Sequence, residues 1–320
     1  MLSIIAASVI IFLGVCMYLN SLFNNIVREP IISVQEANIS QEIIDLHTNT
    51  NVVNIALFGA DNDGDENDQM RSDAIKIVSL NFDSKKIKIS SLQRDLVVFI
   101  PGDYQLFGHL NWGYWIGKGK LAIQTINYNF DLDITKYITL GFESVEKIVD
   151  LVDGVVVELT EKEMEILQIN GDSGLYTLNG SQALKYSRIR KIDTDYQRME
   201  RQQNVIDALV AKISKMNVVE LLDFIKEALP YITTNLTNQE ITKYLIALMS
   251  FNLNIETHQV PSGGVSDTCV CPGLGGVLVD SYTDMVVELH DFIYGEGFYT
   301  PSQCFMDNEK SIYNKYGACE

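Results

Sequence analysis

The chain has 320 residues, with 24 Lys and Arg against 42 Asp and Glu and a formal net charge of −18. Hydrophobic residues make up 47% and charged residues 21%, the composition of a folded domain rather than a disordered segment. Its length allows one large domain or two small ones, and its acidity excludes a protein that coats duplex nucleic acid or an anionic membrane face, since both need a basic surface.

Leu2 to Leu19 is an uncharged apolar run of 18 residues, about enough to cross a ~30 Å hydrocarbon core. No basic residue precedes it, and Tyr18-Leu19-Asn20-Ser21-Leu22 is a poor cleavage site. Residues 1–20 are therefore expected to be a retained transmembrane signal anchor. Residues 21–50 are polar and mixed, and read as a stalk with a short helix around Gln41–Leu46.

Val52–Phe58 is a β-branched run that reads as a buried strand, followed by the acidic loop Gly59–Asp68. Ala74–Asn81 and Ile87–Leu92 flank Asp83-Ser84-Lys85-Lys86, a hairpin signature, and Leu96–Ile100 is a further strand stopped by Pro101-Gly102. Lys120–Tyr128 and Ser144–Val152 carry helical spacing, with Val145, Ile148, Val149 and Val152 on one stripe. Gly154-Val155-Val156-Val157 reads as a strand. Helices are expected from Asn179 to Tyr186, Tyr196 to Met216, Val218 to Leu229, Asn238 to Phe251 and Tyr282 to Tyr294, with Ile255–Pro261 returning to the sheet. Strands interleaved with helices imply an αβα sandwich around a central mixed sheet, with residues 51–295 as its domain.

Cys269, Cys271, Cys304 and Cys319 all lie in the last fifth of the chain. Four cysteines outside the anchor suit two disulfides in an oxidising exterior, with the pairing left open. Cys-Val-Cys is not the Cys-x₂-Cys spacing of structural zinc. Residues 296–320 are thus expected to be an appendage held by disulfides.

Two motifs carry no function. Asp61-x-Asp63-x-Asp65 starts like a calcium loop, but has Glu66 and Ser72 where Gly and Glu are needed. Gly171-Asp172-Ser173-Gly174 is a turn, because a chymotrypsin-like protease would be all-β. His47, His109, His258 and His290 show no metal spacing and read as ordinary structural histidines.

The arginines are unevenly placed. Six of seven are Arg71, Arg94 and the group Arg188, Arg190, Arg198 and Arg201. Arginine offers a planar, permanently charged fork that grips phosphate oxygens in two places, which lysine cannot match. Arg71 and Asp73 share one strand face by the period of two. Arg188 and Arg190 would lie about 200° apart on a helix, so serving one site requires the helix to end near Ser187 and Ser187–Lys191 to be extended. Arg198, Arg201 and Gln202 fall in the first turns of the next helix, where free amides favour anions. Together with Asp61 and Asp73, this set suits a pyrophosphate bridged by Mg²⁺.

The ordered pieces Asn54-Ile55-Ala56-Leu57-Phe58-Gly59-Ala60-Asp61, Arg71-Ser72-Asp73, Ser90-Ser91-Leu92-Gln93-Arg94-Asp95, Val152-Asp153-Gly154-Val155, Leu178-Asn179-Gly180-Ser181-Gln182-Ala183-Leu184-Lys185-Tyr186-Ser187-Arg188-Ile189-Arg190 and Asp195-Tyr196-Gln197-Arg198-x-x-Arg201-Gln202 resemble the LytR-CpsA-Psr family of envelope phosphotransferases. The resemblance covers about Asn54 to Ile213 and continues weakly to Tyr294. Departures are Gln93 for a Pro, Ala74 for a Thr, Lys76 at a usually apolar position, Gln197 for a Gly, and His109-Leu110-Asn111 for Lys-Ile-Asn.

The resemblance implies a single-pass protein whose domain faces outward from the membrane of a bacterial cell of Gram-positive type. It would move a glycan phosphate, of the teichoic acid or capsule kind, from a polyprenyl-pyrophosphate carrier to a hydroxyl of peptidoglycan. The alternatives are a lipid pyrophosphatase using water, or a lipid-binding regulator of envelope assembly without turnover. Carried over residue by residue, Asp61 and Asp73 would hold Mg²⁺ (or Mn²⁺), and Arg71, Arg94, Arg188, Arg190, Arg198 and Gln202 would bind pyrophosphate. Arg94, Asp73 and Asp95 would act in catalysis, Asp95 by orienting Arg94 or moving a proton. The prenyl tail would need an apolar tunnel between the sheet and the helices Val205–Ile213 and Val218–Leu229. Arg201 is assigned no role beyond supporting its helix.

Overall fold

The computed structural model describes residues 23, 25–61, 70–189, 192, 194–251, 255–263 and 268–318. The chain runs β1 (Val27–Arg28), α1 (Gln41–His47), β2 (Val52–Asp61), β3 (Arg71–Asn81), β4 (Lys86–Leu92), β5 (Val97–Ile100) and β6 (Leu106–His109). It continues through α2 (Trp112–Phe130), β7 (Lys136–Gly141), α3 (Phe142–Leu151), β8 (Val155–Leu159), α4 (Glu161–Leu167), β9 (Gly174–Leu178), α5 (Gly180–Ser187) and α6 (Asp195–Ile213). The last part holds α7 (Val218–Ala228), β10 (Ile232–Thr234), α8 (Asn238–Ser250), β11 (Ile255–Val260), β12 (Thr268–Val270), β13 (Val277–Val279), α9 (Tyr282–Tyr294) and α10 (Gln303–Tyr316).

Seven strands form one mixed sheet in the order β1-β10-β7-β2-β3-β4-β11. The expected hairpin is present: β3 and β4 pair antiparallel, and Asn81 Oδ1 accepts the backbone N–H groups of Asp83 and Ser84 at 3.1 and 2.9 Å, leaving Lys85 at φ 54°. This is the side-chain-to-backbone closure that Asn favours in turns.

Alternation along β3 explains the three layers. Ile75 and Ile77 bury against α2 and α9, in a core with Ile123, Ile126, Val286 and Leu289. Ala74, Lys76 and Val78 point the other way, where α6 and α8 cover the sheet: Val78 packs near Ile206, Tyr244 and Leu248. The β8–β9 hairpin, α3 and α5 add a satellite core through Val149, Val155, Leu178 and Tyr186.

Several expectations need correction. β7 and β10 belong to the central sheet, whereas Gly154–Val157 forms a separate hairpin beside it. Residues 25–50 are no stalk, because β1 pairs with β10 and Ile32, Ala37 and Ile43 enter the main core, with Asn127 Nδ2 donating to the Ala37 carbonyl at 2.8 Å. Those apolar side chains remove more surface from water by packing on α2 than by standing off.

The C-terminal segment is likewise integral. Phe305 and Ile312 of α10 lie in the main core, and the Asp131 carboxylate accepts the Ser302 N–H, the Ser302 hydroxyl and the Tyr299 hydroxyl. Two disulfides do not hold it. Cys269 is disulfide-bonded, but Cys271 is a buried free thiol and Cys304 an exposed one. The thiol of Cys271 sits among core side chains while that of Cys304 neighbours Tyr128, so neither meets a partner cysteine. Among the described residues no helix is long and apolar enough to cross a membrane, and the expected anchor, residues 1–20, lies outside them.

Candidate active site

Antiparallel pairing gathers distant residues at one end of the sheet. β2 runs into that end, β3 starts from it and β4 returns to it, so the register places Asp61 opposite Arg71 and Leu92 opposite Ile75. Asp61, Arg71, Asp73, Arg94 and Asp95 therefore meet there by backbone alone. The register steps from Ala60 opposite Ser72 to Gly59 opposite Ala74, so Asp73 is the extra residue of a bulge in β3, and the period of two expected to relate Arg71 and Asp73 is interrupted there.

Arg94 is the centre of this group. Its Nη1 donates to Asp73 Oδ1, and its Nε donates to Asp95 Oδ2 at 3.2 Å, so one guanidinium is held by two carboxylates. The backbone is fixed as well, because the Asn111 N–H donates to the Arg94 carbonyl at 3.0 Å. Arg71 is exposed, with its guanidinium 5.5 Å from the Trp115 ring centre. That ring steers the cation without neutralising it.

Asp95 also faces His109. Its Oδ1 lies 3.4 Å from His109 Nδ1, while His109 Nε2 donates to the Leu274 carbonyl at 3.2 Å. A carbonyl and a carboxylate only accept, so this geometry suits the doubly protonated imidazolium. The His109 pKa is accordingly raised, chiefly by the hydrogen bond to Asp95, with burial opposing and the Leu274 contact assisting. Burial pushes the Asp95 carboxyl upward, but the His109 hydrogen bond and the charges of Arg94, His109 and Arg198 outweigh it and hold it below the usual range. Gly276 allows this close approach: a Cβ there would stand 3.0 Å from the Asp95 carbonyl and 3.1 Å from the His109 ring. His109, read as ordinary from its spacing, is therefore part of the cluster. The substitution of His-Leu-Asn for Lys-Ile-Asn was the available signal.

A group with a raised folded pKa contributes stability fully below the ordinary value of 6.5 and loses it as pH rises through the raised value. The contribution of His109 to thermal stability is thus expected to fall as pH is raised from mildly acidic to alkaline, whereas the half-buried His258 and the buried His290, whose pKa values burial lowers, contribute in the opposite sense. The amount by which His109→Gln lowers the melting temperature should therefore shrink across that range, and paired melting curves of wild type and variant check it.

The other wall comes from helices. α5 ends at Ser187 as the two arginines require, but Arg188 caps it at φ −99°, ψ 0° and is not extended; its side chain is exposed. Arg190 lies outside the described residues. In the first turns of α6, Arg198 is 2% exposed and close enough to bias Asp95 electrostatically, which links the helix to the sheet-end cluster. Gln202 is buried and reaches a cavity, whereas Arg201 turns away: its Nη1 lies 3.3 Å from Glu163 Oε1 and its Nη2 donates to the Ile189 carbonyl at 2.7 Å.

The cavity measures about 90 Å³ and lies between the sheet and α6. Leu57, Leu140, Val145, Val205 and Ile206 line it, with Gln202, Ser187 and Lys76 as its polar members. It partly matches the expected tunnel, since Val205 is shared, while α3 rather than α7 closes its side. Among the described residues no three acidic, histidine or cysteine side chains converge as a metal site. Of the two aspartates expected to hold Mg²⁺, Asp73 stands at the sheet end and accepts from Arg94, while the side chain of Asp61 lies outside what is described.

A family model described as LytR_cpsA_psr matches residues 25–282. The chain belongs to the LytR-CpsA-Psr family. It is 29% identical over 250 residues to the polyisoprenyl-teichoic acid–peptidoglycan teichoic acid transferase TagU of Oceanobacillus iheyensis, covering 74% of this chain and 75% of that protein. It is 29% identical over 219 residues to TagT of Bacillus subtilis, a transferase of the same description, covering 64% and 67%. The solved structure of TagT bound to LIIa-WTA superposes with a TM-score of 0.61 at 22% identity, over 76% of this chain and 91% of that one, so the fold is that of LytR-CpsA-Psr proteins. With family members named as transferases, this chain is an enzyme of the transferase class.

Proposed function

We propose that this LytR-CpsA-Psr protein transfers a glycopolymer phosphate from a polyprenyl-pyrophosphate carrier to a hydroxyl of peptidoglycan, and that it does so at the outer face of the membrane, anchored by residues 1–20. The observation that carries this reading is the position of Arg94. It is clamped by Asp73 and Asp95 at the sheet end, where Arg198 also acts on Asp95, and Gln202, one turn along α6 from Arg198, lines an apolar cavity. Guanidinium groups beside an apolar cavity complement a pyrophosphate with a hydrocarbon tail. The relatives named as acting on polyisoprenyl-linked teichoic acid and peptidoglycan support the same substrate class.

In this reading the acceptor hydroxyl oxygen attacks the glycan-linked phosphorus and gives up its proton to Asp95 or to water, the bond to the bridging oxygen breaks, and polyprenyl phosphate leaves. Arg71, Arg94, Arg188, Arg190, Arg198 and Gln202 orient the pyrophosphate and offset its charge, which is most of what phosphoryl transfer asks of a protein. Asp61 and Asp73 would hold Mg²⁺, which would neutralise phosphate charge when bound. Asp95 keeps Arg94 aimed, with His109 behind it.

The full chain, given a polyprenyl-pyrophosphate glycan, peptidoglycan and Mg²⁺, is expected to release polyprenyl phosphate and leave the glycan on peptidoglycan. Chelation with EDTA should stop the reaction and added Mg²⁺ restore it. Lipid phosphate released at the same rate without peptidoglycan would instead identify a pyrophosphatase. Tight carrier binding with no product would identify a regulator.

A further inference from the structure

The cavity beside the arginine cluster has a lysine in its wall. Lys76 lies in the middle of β3 on the side toward α6 and is 2% exposed, and it lines the cavity among Leu57, Val205 and Ile206. An ammonium there loses its hydration. It recovers part of that loss by donating to Ser91 Oγ at 2.6 Å and Gln203 Oε1 at 3.0 Å. Gln203 Nε2 in turn donates to Asp207 Oδ1 at 2.8 Å. Burial lowers the Lys76 pKa to about 8, opposed by the charge of Asp207.

These partners span the gap between layers. Ser91 is the cross-strand neighbour of Lys76 on β4, while Gln203 and Asp207 sit one turn apart on α6. The side chain of Lys76 thus forms a polar bar from sheet to helix on the β4 side of the cavity. Past the bar, the interlayer space is filled by Ile87, Ile89 and Phe251, packed with Val78 and Ile206. A hydrocarbon chain entering beside Gln202 can pack on Leu57, Leu140, Val145, Val205 and Ile206. To go further toward β4 it must break the hydrogen bonds of a buried ammonium.

We propose that Lys76 is a specificity-determining residue: with Gln203 it closes the β4 side of the carrier cavity, so the protein encloses only the isoprene units next to the pyrophosphate and reads little of the tail beyond them. This rests on the reading above that the cavity receives the tail of the carrier. Its substrate class is therefore a prenyl pyrophosphate recognised by its head and first units rather than by its length.

The test uses the full chain in detergent and measures, by competition, the ratio of its affinities for undecaprenyl diphosphate and farnesyl diphosphate. Comparing ratios among variants cancels the partition of each lipid into micelles. Lys76→Met removes the bar and extends the apolar wall, and should raise the ratio in favour of the longer lipid by about fivefold or more. Gln203→Met cuts the same bar from α6 and should act in the same direction, whereas Lys76→Gln keeps a polar wall and should retain the wild-type ratio. A ratio unchanged within about twofold in folded Lys76→Met and Gln203→Met overturns the assignment, as does an equal rise in Lys76→Gln. If the wild type binds neither diphosphate, the carrier reading itself fails, and the two failures are thereby told apart.

Discussion

Arg94→Ala is expected to lower the rate of glycopolymer transfer by about a hundredfold to a thousandfold, the usual cost of removing one preorganised charge donor from a transition state. Arg94 is a single fork serving two carboxylates, Asp73 and Asp95, each of which belongs to a different part of the sheet end. Truncation removes the cation and also leaves those carboxylates facing one another with less to separate them. Arg94→Lys keeps the charge but not the fork, and should recover only a fraction of the activity because an ammonium cannot hold both partners in one plane. Single-turnover kinetics with the lipid-linked glycan, set beside carrier binding, separate the two effects. A loss in the chemical step that exceeds the loss in binding is the expected outcome. Wild-type rates in Arg94→Ala would remove Arg94 from the mechanism.

Arg201→Met is expected to act on stability, lowering it by about 3–5 kcal/mol, the scale for leaving one partner of a buried ion pair alone. The side chains of Arg201 and Glu163 are 4% and 8% exposed, so little water reaches the pair. Glu163 also closes the capping box of α4, accepting from the Thr160 N–H and hydroxyl at 2.9 Å each. Arg201 further anchors the Ile189 carbonyl just after α5. The change should therefore loosen both the start of α4 and the segment that carries Arg188. Chemical denaturation of Arg201→Met, Glu163→Leu and the double variant checks this. The double variant should be more stable than Arg201→Met, because no buried charge is then left unpaired. Equal stabilities would show that the pair contributes through packing alone.

These two arginines show where reading a sequence succeeds and where it stops. Both stand in a run of motifs with charged residues in order, and composition alone marks arginine as the informative basic residue here. Yet Arg94 turns toward the acidic sheet end and Arg201 turns away from it, toward Glu163, 38 residues earlier. Both choices depend on which face of an element meets which neighbour. The same holds for β7 and β10, short runs without the alternation of β3 that become strands because β2 and the domain edge offer them unpaired backbone. Residues 25–50 and α10 depart from expectation for a related reason, as polar composition hides a few side chains, Ile32, Ile43, Phe305 and Ile312, that are enough to dock a segment.

What the sequence determined by itself is local and repetitive. The β3–β4 hairpin follows from its turn residues and α9 from its apolar spacing, whereas the meeting of Asp61, Arg71, Asp73 and Arg94 at one sheet end needs the strand register. Family membership follows from the order of those same pieces. Only the tertiary structure decided that His109 stands against Asp95 and that Lys76 reaches across to Gln203, 127 residues later. Such contacts join elements whose separation along the chain carries no period. They are chosen by which arrangement leaves the fewest buried charges and polar groups without partners, and that balance exists only once the layers have closed.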